Sequence, residues 1–324
     1  MTDDRLVVLN KDSDSIAVID PDTGETDTVV ETDFNPHEVT VGPDGNVLYV
    51  TCSLGGSLLT IDTDDWTVKD RFEHESFDFP HGLAVRETAD ELWLASTYSS
   101  QVFVFDIADP IPTLIDHFPT HQDKSHMVAL TPDGSTAFIA NIGGDNVTAI
   151  DADTREISAD IPVGEGPEGI AVHPTAGLLV ANQEDSRLSV VDPETFADEG
   201  IAVLGDTPIR VVPSPDGEYV LVPNREGDDV SVIEAEFVRD GEVRPWEVAR
   251  IPVGIWPGGT TFAPAGDRVF VANNKTNAVS VLAAPEASDD AESDRESEAP
   301  VPDWTEVDRF ETELHPDGIA YVEH

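Results

Sequence analysis

Residues 125–151 read SHMVALTPDGSTAFIANIGGDNVTAID, and this stretch carries the pattern that decides the fold. Its first apolar run leads into Pro-Asp-Gly, a sequence that favours a tight reversal of the chain. A second run contains Phe138 and Ile139, is rich in β-branched and aromatic residues, and ends in Asn141. A third run, NVTAID, occupies residues 146–151. The stretch therefore predicts three short strands joined by turns.

The same pattern recurs along the chain. A weaker fourth strand closes each unit, as in DIPVG at 160–164 and RIPVG at 250–254. Tandem units of about 40–50 residues with four short strands are typical of β-propeller blades. The units begin at Pro36, Pro80, Ser125, Pro167, Pro208, Pro257 and Pro316.

The two ends of the chain give the number of blades. Residues 6–31 contain three strands but lack an innermost strand, and PDGIAYV at 316–322 supplies one. Pairing of these segments leaves no unpaired sheet edge between the termini. The sequence thus predicts an all-β, seven-bladed propeller that occupies residues 1–324 as a single domain.

The units resemble the YVTN-family repeat, a WD40-like propeller repeat, over essentially the whole chain. The likeness rests on the strand ends VLYVTC, AFIAN, LLVAN and VFVAN. It implies a binding scaffold. The pattern is also similar to the propeller of nitrous oxide reductase, in which imidazoles from the inner strands hold copper. This chain has no second domain with clustered Cys and His, so reductase activity is not inferred.

The composition excludes several classes of partner. The chain has 17 basic and 66 acidic residues, a net charge of −49, and only four lysines. Such a chain repels phosphate backbones and anionic lipids, which argues against nucleic-acid and membrane binding. The first residues lack a signal-peptide pattern, so we expect a cytoplasmic protein. Cys52 is the only cysteine, which excludes a disulfide within the chain. The acidic surplus is typical of halophilic proteins.

One segment departs from the repeat. Residues 284–303 lack apolar periodicity and carry eight acidic residues. This composition predicts a solvated, disordered insertion within blade seven. Its functional alternative is a segment that docks a partner protein.

The channel mouth is the predicted site. In a propeller, the residue after the start of each innermost strand faces the mouth of the central channel. Three of these positions are histidines, His37, His81 and His126, which could hold a divalent transition metal, Zn or Cu. A polar small-molecule pocket without metal and purely structural histidines are the alternatives. The seven positions are His37, His81, His126, Glu168, Ile209, Gly258 and Asp317.

Other residues are predicted to contribute to the same mouth. His121, Lys124 and His315 lie in loops that enter this face. Arg210 occupies a position where sister blades have glycine, and it either pairs with Glu38 or Glu168 or anchors a substrate carboxylate or phosphate. The predicted ligand-binding residues are Glu168, Arg210, Asp317 and His121.

Three functions follow from these patterns. The main interpretation is a YVTN-repeat binding protein with a small molecule or metal ion at the channel mouth. The combination of His126, Glu168 and Arg210 is similar to seven-bladed propeller lactonases and lactonising enzymes, which use His, Glu and Arg for acid–base work. A lactonase-like hydrolase is therefore the first alternative, and a protein-interaction scaffold is the second.

The net charge of −49 generates a prediction about salt. At molar KCl the Debye length falls to about 3 Å, so repulsion among the carboxylates is screened in the folded state. We expect the melting temperature to rise steeply between dilute and molar KCl, as measured by differential scanning calorimetry. A melting temperature that is independent of salt would refute the halophilic interpretation.

Overall fold

The computed structural model describes residues 4–235, 238–239, 242–243, 246–284 and 304–323. It contains seven four-stranded sheets, which confirms the predicted all-β, seven-bladed propeller. All strand pairs within the sheets are antiparallel, as each repeat predicts. We number the blades in chain order, starting with the blade that contains Arg5–Asn10. Within the described residues, no helix is long and apolar enough to cross a membrane.

The strand bounds follow the repeats. From blade 1 to blade 7, the innermost strands are Pro316–Val322, Pro36–Val41, Pro80–Arg86, Ser125–Leu130, Pro167–His173, Val212–Pro213 and Pro257–Phe262. The second strands are Arg5–Asn10, Val47–Cys52, Glu91–Ser96, Thr136–Asn141, Gly177–Asn182, Tyr219–Asn224 and Arg268–Asn273. The third strands are Ser15–Ile19, Ser57–Asp62, Gln101–Asp106, Asn146–Asp151, Arg187–Val191, Asp229–Glu234 and Ala278–Ala283. The outer strands are Thr26–Glu31, Thr67–Glu73, Thr113–Pro119, Ile157–Pro162, Asp198–Val203, Trp246–Pro252 and Thr305–Glu311.

Two short elements interrupt the repeat. A 3₁₀ turn, Glu87–Ala89, replaces the Pro-Asp-Gly reversal in blade 3. A two-stranded ribbon, Val238–Arg239 with Glu242–Val243, lies between the third and outer strands of blade 6. The predicted acidic insertion at 284–303 falls outside the described residues, apart from its first residue.

The ring closes as predicted. Pro316–Val322 pairs with Arg5–Asn10, with Val7 opposite Ala320 and Leu6 opposite Tyr321. The C-terminal strand is thereby the innermost strand of blade 1.

The core lies between the blades. Among the described residues, buried apolar side chains form seven clusters, one at each interface between neighbouring blades. Strand-ending asparagines form hydrogen bonds within five of the seven blades. Asn141 donates to Thr148 Oγ1 at 2.9 Å, and Asn273 donates to Ser280 Oγ at 2.9 Å. This contact, seven residues along the chain, explains why Asn ends the second strand in most repeats.

A left-handed residue turns the chain into each innermost strand. All seven preceding residues have φ between 55° and 64°. Such values are uncommon outside glycine, above all for bulky side chains such as Phe79 and Trp256. Side chains of the preceding blade hold the geometry, since Asp228 Oδ1 accepts from the Trp256 amide at 3.0 Å. These turns direct the second residue of each innermost segment toward the channel. The seven residues are Asn35, Phe79, Lys124, Gly166, Thr207, Trp256 and His315.

Closure generates a prediction about truncation. Deleting residues 314–324 removes the innermost strand of blade 1 and exposes the edge of Arg5–Asn10 and the apolar faces that the strand covers. We expect aggregation or failure to fold, measured by size-exclusion chromatography and circular dichroism. Deleting residues 287–300 is the control. It should leave a cooperative protein, because it keeps the paired Ala283 and Thr305 and the core residues Ala284 and Trp304, and loop length changes closure entropy slowly. A soluble, cooperatively unfolding truncation would contradict the role of the closing strand.

Candidate functional site

One cavity of about 310 Å³ lies at the end of the channel where the innermost strands begin. The seven positions predicted from the repeat alignment all line it. The site is therefore built by register: every blade places the second residue of its inner segment at the same height on the ring. The remaining lining residues are Lys11, Phe79, Tyr98, Ile142, Gln183, Arg225, Trp256, Pro257 and Asn274.

The three histidines form a stack on one side of the cavity. The rings of His81 and His126 lie 3.7 Å apart at 27°, and those of His37 and His81 lie 4.5 Å apart at 57°. Thr97 Oγ1 lies 3.0 Å from His126 Nδ1. The buried Nδ1 atoms of His37 and His81 have no hydrogen-bond partner among the described residues. The stack therefore holds unused hydrogen-bonding capacity next to the cavity.

Three carboxylates and three cations form ion pairs at the channel. Asp317 Oδ2 accepts from Lys11 Nζ at 2.5 Å, and Glu168 Oε1 accepts from Arg225 at 2.8 Å. The third carboxylate, Glu38 of blade 2, pairs with Arg210 of blade 6 on the far side of the ring. The formal charges of this network cancel.

Arg210 also approaches a second acid. Its guanidinium lies 3.5 Å from Glu168 Oε1, so it bridges Glu38 and Glu168. A neighbouring contact joins the network to the histidines, because Glu38 Oε1 lies 3.7 Å from His81 Nε2. On the other side, Asp317 Oδ2 lies 3.4 Å from His37 Nε2.

Burial and charge set the protonation states. Burial, together with Arg210 and the neighbouring rings, lowers the pKa of His81 and of His126 well below the usual 6.5. Both imidazoles are consequently neutral at physiological pH. Burial acts to raise the pKa of Asp317, but Lys11 and His37 outweigh it and hold that pKa well below its usual value of 3.8. Burial raises the pKa of Glu38, against the lowering effect of Arg210.

The histidines do not present a preformed metal site. Among the described residues, no three His, Cys, Asp or Glu side chains are placed to hold one ion. The near-parallel stack of His81 and His126 explains this, because stacked rings do not aim their nitrogens at a common point. Metal binding by His37, His81 and His126 therefore stays a prediction.

Several predicted residues lie away from the cavity. His121 and Lys124 are exposed and do not line it. His315 also lies outside it and pairs with Asp12. Lys124 and His315 are themselves the left-handed residues before a strand, and the cavity is lined by the residues two positions later, His126 and Asp317. Arg210 is buried in the ion-pair network and does not line the cavity, which matches the paired alternative considered for it.

About half of the residues that line the cavity were not predicted from the repeats. The residue that follows each strand-ending asparagine forms a second ring, and the left-handed residues Phe79 and Trp256 add aromatic walls. The signal was present in the sequence: these residues occupy one repeat position, which the analysis did not align. The second-ring residues at the cavity are Lys11, Ile142, Gln183, Arg225 and Asn274.

Comparison with known proteins gives a family. The model of the family described as lactonase, 7-bladed beta-propeller, matches residues 116–307. No curated protein matches the sequence.

Solved structures with low sequence identity share the fold. A Lactobacillus plantarum protein has 18% identity and a TM-score of 0.80, with complete coverage of both chains. The Pseudomonas aeruginosa periplasmic gluconolactonase has 19% identity and a TM-score of 0.78, with coverage of 98% of this chain and 99% of its own. The Kuenenia stuttgartiensis hydrazine synthase has 18% identity and a TM-score of 0.75, with coverage of 86% and 92%. These likenesses extend to proteins with unrelated names, so they speak for the fold alone.

The ion pair between Glu38 and Arg210 generates a prediction about stability. Arg210→Met leaves the Glu38 carboxylate without its partner. The Glu38 side chain is only 12% exposed. We expect a loss of about 3–5 kcal/mol in the free energy of unfolding, measured by urea titration at fixed KCl. The double variant Glu38→Gln with Arg210→Met should recover part of this loss. Arg250→Met is the control, because its partner Glu247 is on the outer strand and such pairs contribute about 1 kcal/mol or less. Equal losses for Arg210→Met and Arg250→Met would show that the network is unimportant.

Proposed function

We propose that this chain, which belongs to the lactonase family of seven-bladed β-propellers, hydrolyses a lactone in the cavity at the channel mouth. One observation supports this above the others: the cavity combines a neutral imidazole, that of His126, with a guanidinium held by a carboxylate, that of Arg225 on Glu168. These are a proton acceptor and an anion stabiliser, which ester hydrolysis requires.

The reaction needs one proton acceptor. A water molecule attacks the lactone carbonyl carbon, and the base removes its proton as the carbon–oxygen bond forms. The ring C–O bond then breaks, and the proton returns to the departing alkoxide. The product is a hydroxy carboxylate that becomes ionised in water. A single neutral imidazole can perform both transfers.

His126 fits the role of this base. Its side chain lines the cavity, and its contact of 3.0 Å from Nδ1 to Thr97 Oγ1 fixes the ring. In the tautomer whose Nδ1–H donates to Thr97 Oγ1, Nε2 is unprotonated and is the nitrogen that exchanges the proton. Because burial and Arg210 hold the pKa of His126 well below 6.5, the ring is in its basic form at neutral pH. His37 is the second candidate base, because Asp317 lies 3.4 Å from its Nε2.

Arg225 and Lys11 fit the role of oxyanion stabilisers. Both line the cavity, and each is oriented by one carboxylate, Glu168 for Arg225 and Asp317 for Lys11. Their remaining N–H groups can donate to the carbonyl oxygen as negative charge develops on it. Arg225 thus takes the place that the sequence comparison gave to Arg210, and Arg210 instead positions Glu168.

The proposal generates a prediction about His126. His126→Asn should lower kcat for hydrolysis of γ- and δ-lactones by about 10²–10⁴-fold, because general base catalysis is lost. The measurement is product formation followed by pH-stat titration. His117→Asn is the control, since His117 is exposed on the outer strand of blade 3. Calorimetric binding of lactones without turnover by the parent protein would instead assign the chain to the ligand-binding propellers.

The same assignment fixes the sign of the pH dependence. Protonation of His126 removes the base, so kcat/KM falls as pH decreases through its pKa. Because this pKa is lowered, the acid limb of the profile should lie below pH 6.5. An acid limb at or above pH 6.5 would identify a different base.

A further inference from the structure

The rim of the cavity is divided into an apolar half and an acidic half. The residue two positions before each innermost segment is a large apolar residue in three consecutive blades: Ile255, Leu314 and Phe34, exposed by 49%, 53% and 64%. The other four blades carry an acid at this position. These acids are Asp78, Asp123, Glu165 and Asp206.

Two further exposed residues extend the apolar half. Leu54 is 70% exposed, and the Gly55 amide that follows it donates to the Phe34 carbonyl at 2.9 Å. Tyr98 is 58% exposed, lines the cavity, and packs on Phe79 with ring centroids 5.2 Å apart. We name Ile255, Leu314, Phe34, Leu54 and Tyr98 the apolar arc.

The apolar arc is continuous with the cavity. Tyr98 belongs to both, and Ile255 directly precedes Trp256, which lines the cavity wall. Exposed apolar side chains at one repeat position in three consecutive blades, beside a polar cavity, favour a binding surface there. A ligand held in the cavity can therefore extend over the arc without leaving the protein surface.

The charges of the cavity favour an uncharged ligand ring. Both cations that line it, Lys11 and Arg225, are already paired with carboxylates, and the His81 and His126 rings are neutral. A phosphate dianion would compete with these carboxylates for the same cations. Lys275 is exposed at the rim, and its Nζ lies over the Trp256 ring, 3.0 Å from the ring centroid.

We infer that the substrate is an uncharged lactone that carries an alkyl or acyl substituent. The lactone ring enters the cavity, and the substituent lies on the apolar arc. This inference rests on the proposed lactonase function and adds the class of substrate. It sets the chain apart from enzymes that act on phosphorylated sugar lactones.

The test is a series of γ-lactones with linear alkyl substituents of increasing length, compared with a phosphorylated aldonolactone. Each methylene placed on the half-exposed arc should raise kcat/KM by about twofold, which is below the value for full burial. The phosphorylated lactone should be the poorest substrate. A flat series, or preference for the phosphorylated lactone, would overturn the inference.

Variants locate the effect on the arc. Phe34→Ser combined with Leu314→Ser should flatten the chain-length series, so that kcat/KM no longer rises with the length of the substituent. The matched control is Val307→Ser, a 57% exposed residue on the outer strand of blade 7, which should leave the series unchanged. Equal series in all three proteins would show that the arc does not contact the substituent. If the double variant instead converts a dimer to a monomer in sedimentation velocity with no change in the series, the arc is a self-association surface and the inference is wrong.

Failure of the proposed function has a different signature. If the parent protein hydrolyses no lactone, calorimetric titration with the shortest and longest lactones decides the inference separately. Tighter binding of the longer lactone, lost in the double variant, would retain the ligand class without the enzyme. Equal affinities or no binding would overturn it as well.

Discussion

Pairing of the last strand with the first is the constraint on which the molecule depends. Pro316–Val322 completes blade 1 and also carries Asp317 into the channel. There Asp317 accepts from Lys11 of the first strand loop and approaches His37 of blade 2. The segments of Lys11 and His37, near the start of the sequence, thus meet the segment of Asp317, near its end, only in the closed ring. The ion pair between Asp317 and Lys11, and the part of the cavity wall that Asp317 forms, therefore depend on ring closure.

Burial of charged side chains at the channel is unfavourable in free energy, and the packing of the protein must offset this desolvation. Removing a carboxylate from water is unfavourable by several kcal/mol, and a partner compensates only when the geometry is good. Glu38 and Arg210 meet this condition from blades 2 and 6, which lie across the ring from each other. Such a pair favours one arrangement of the inner strands over alternatives, since any shift in register separates the charges. Burial, together with Arg210, lowers the pKa of the neighbouring His81 and His126 imidazoles, so the guanidinium that organises the channel also contributes to the protonation state of the proposed base.

The sequence predicted the fold and the height of the site because both depend on register. A repeat that places one residue after each strand start must place all seven on one ring, and the structure shows His37, Glu168 and Asp317 at one cavity. The packing of the side chains at the cavity could not be predicted from the repeat pattern. Alignment of positions could not show that His81 stacks on His126 at 3.7 Å, because this depends on rotamers and on the width of the channel.

The individual arginines show the same limit. Arg210 precedes the innermost strand of blade 6, and Arg225 follows its second strand. Only the fold shows that Arg210 bridges two acids while Arg225 reaches the cavity. Sequence reasoning identified Arg210 because it breaks a glycine pattern. That glycine is required for close approach of inner strands: a Cβ on Gly169 would lie 2.5 Å from Arg210 Cα. Blades 2 and 4 carry Glu38 and Met127 at the same position within full innermost strands, so glycine is not needed there in every blade.

The net charge of −49 bears directly on the proposed reaction. An uncharged lactone approaches such a surface without electrostatic penalty, whereas its hydrolysis product is an anion. The product forms beside Glu168 and Asp317 and below a rim whose acidic half includes Asp123 and Glu165. Both cations at the cavity are already occupied by carboxylates, so the new carboxylate gains no unpaired cation there. The acidity from which we expect poor binding of anionic partners would also promote release of the product, and screening by salt would weaken that effect at the exposed rim more than in the cavity.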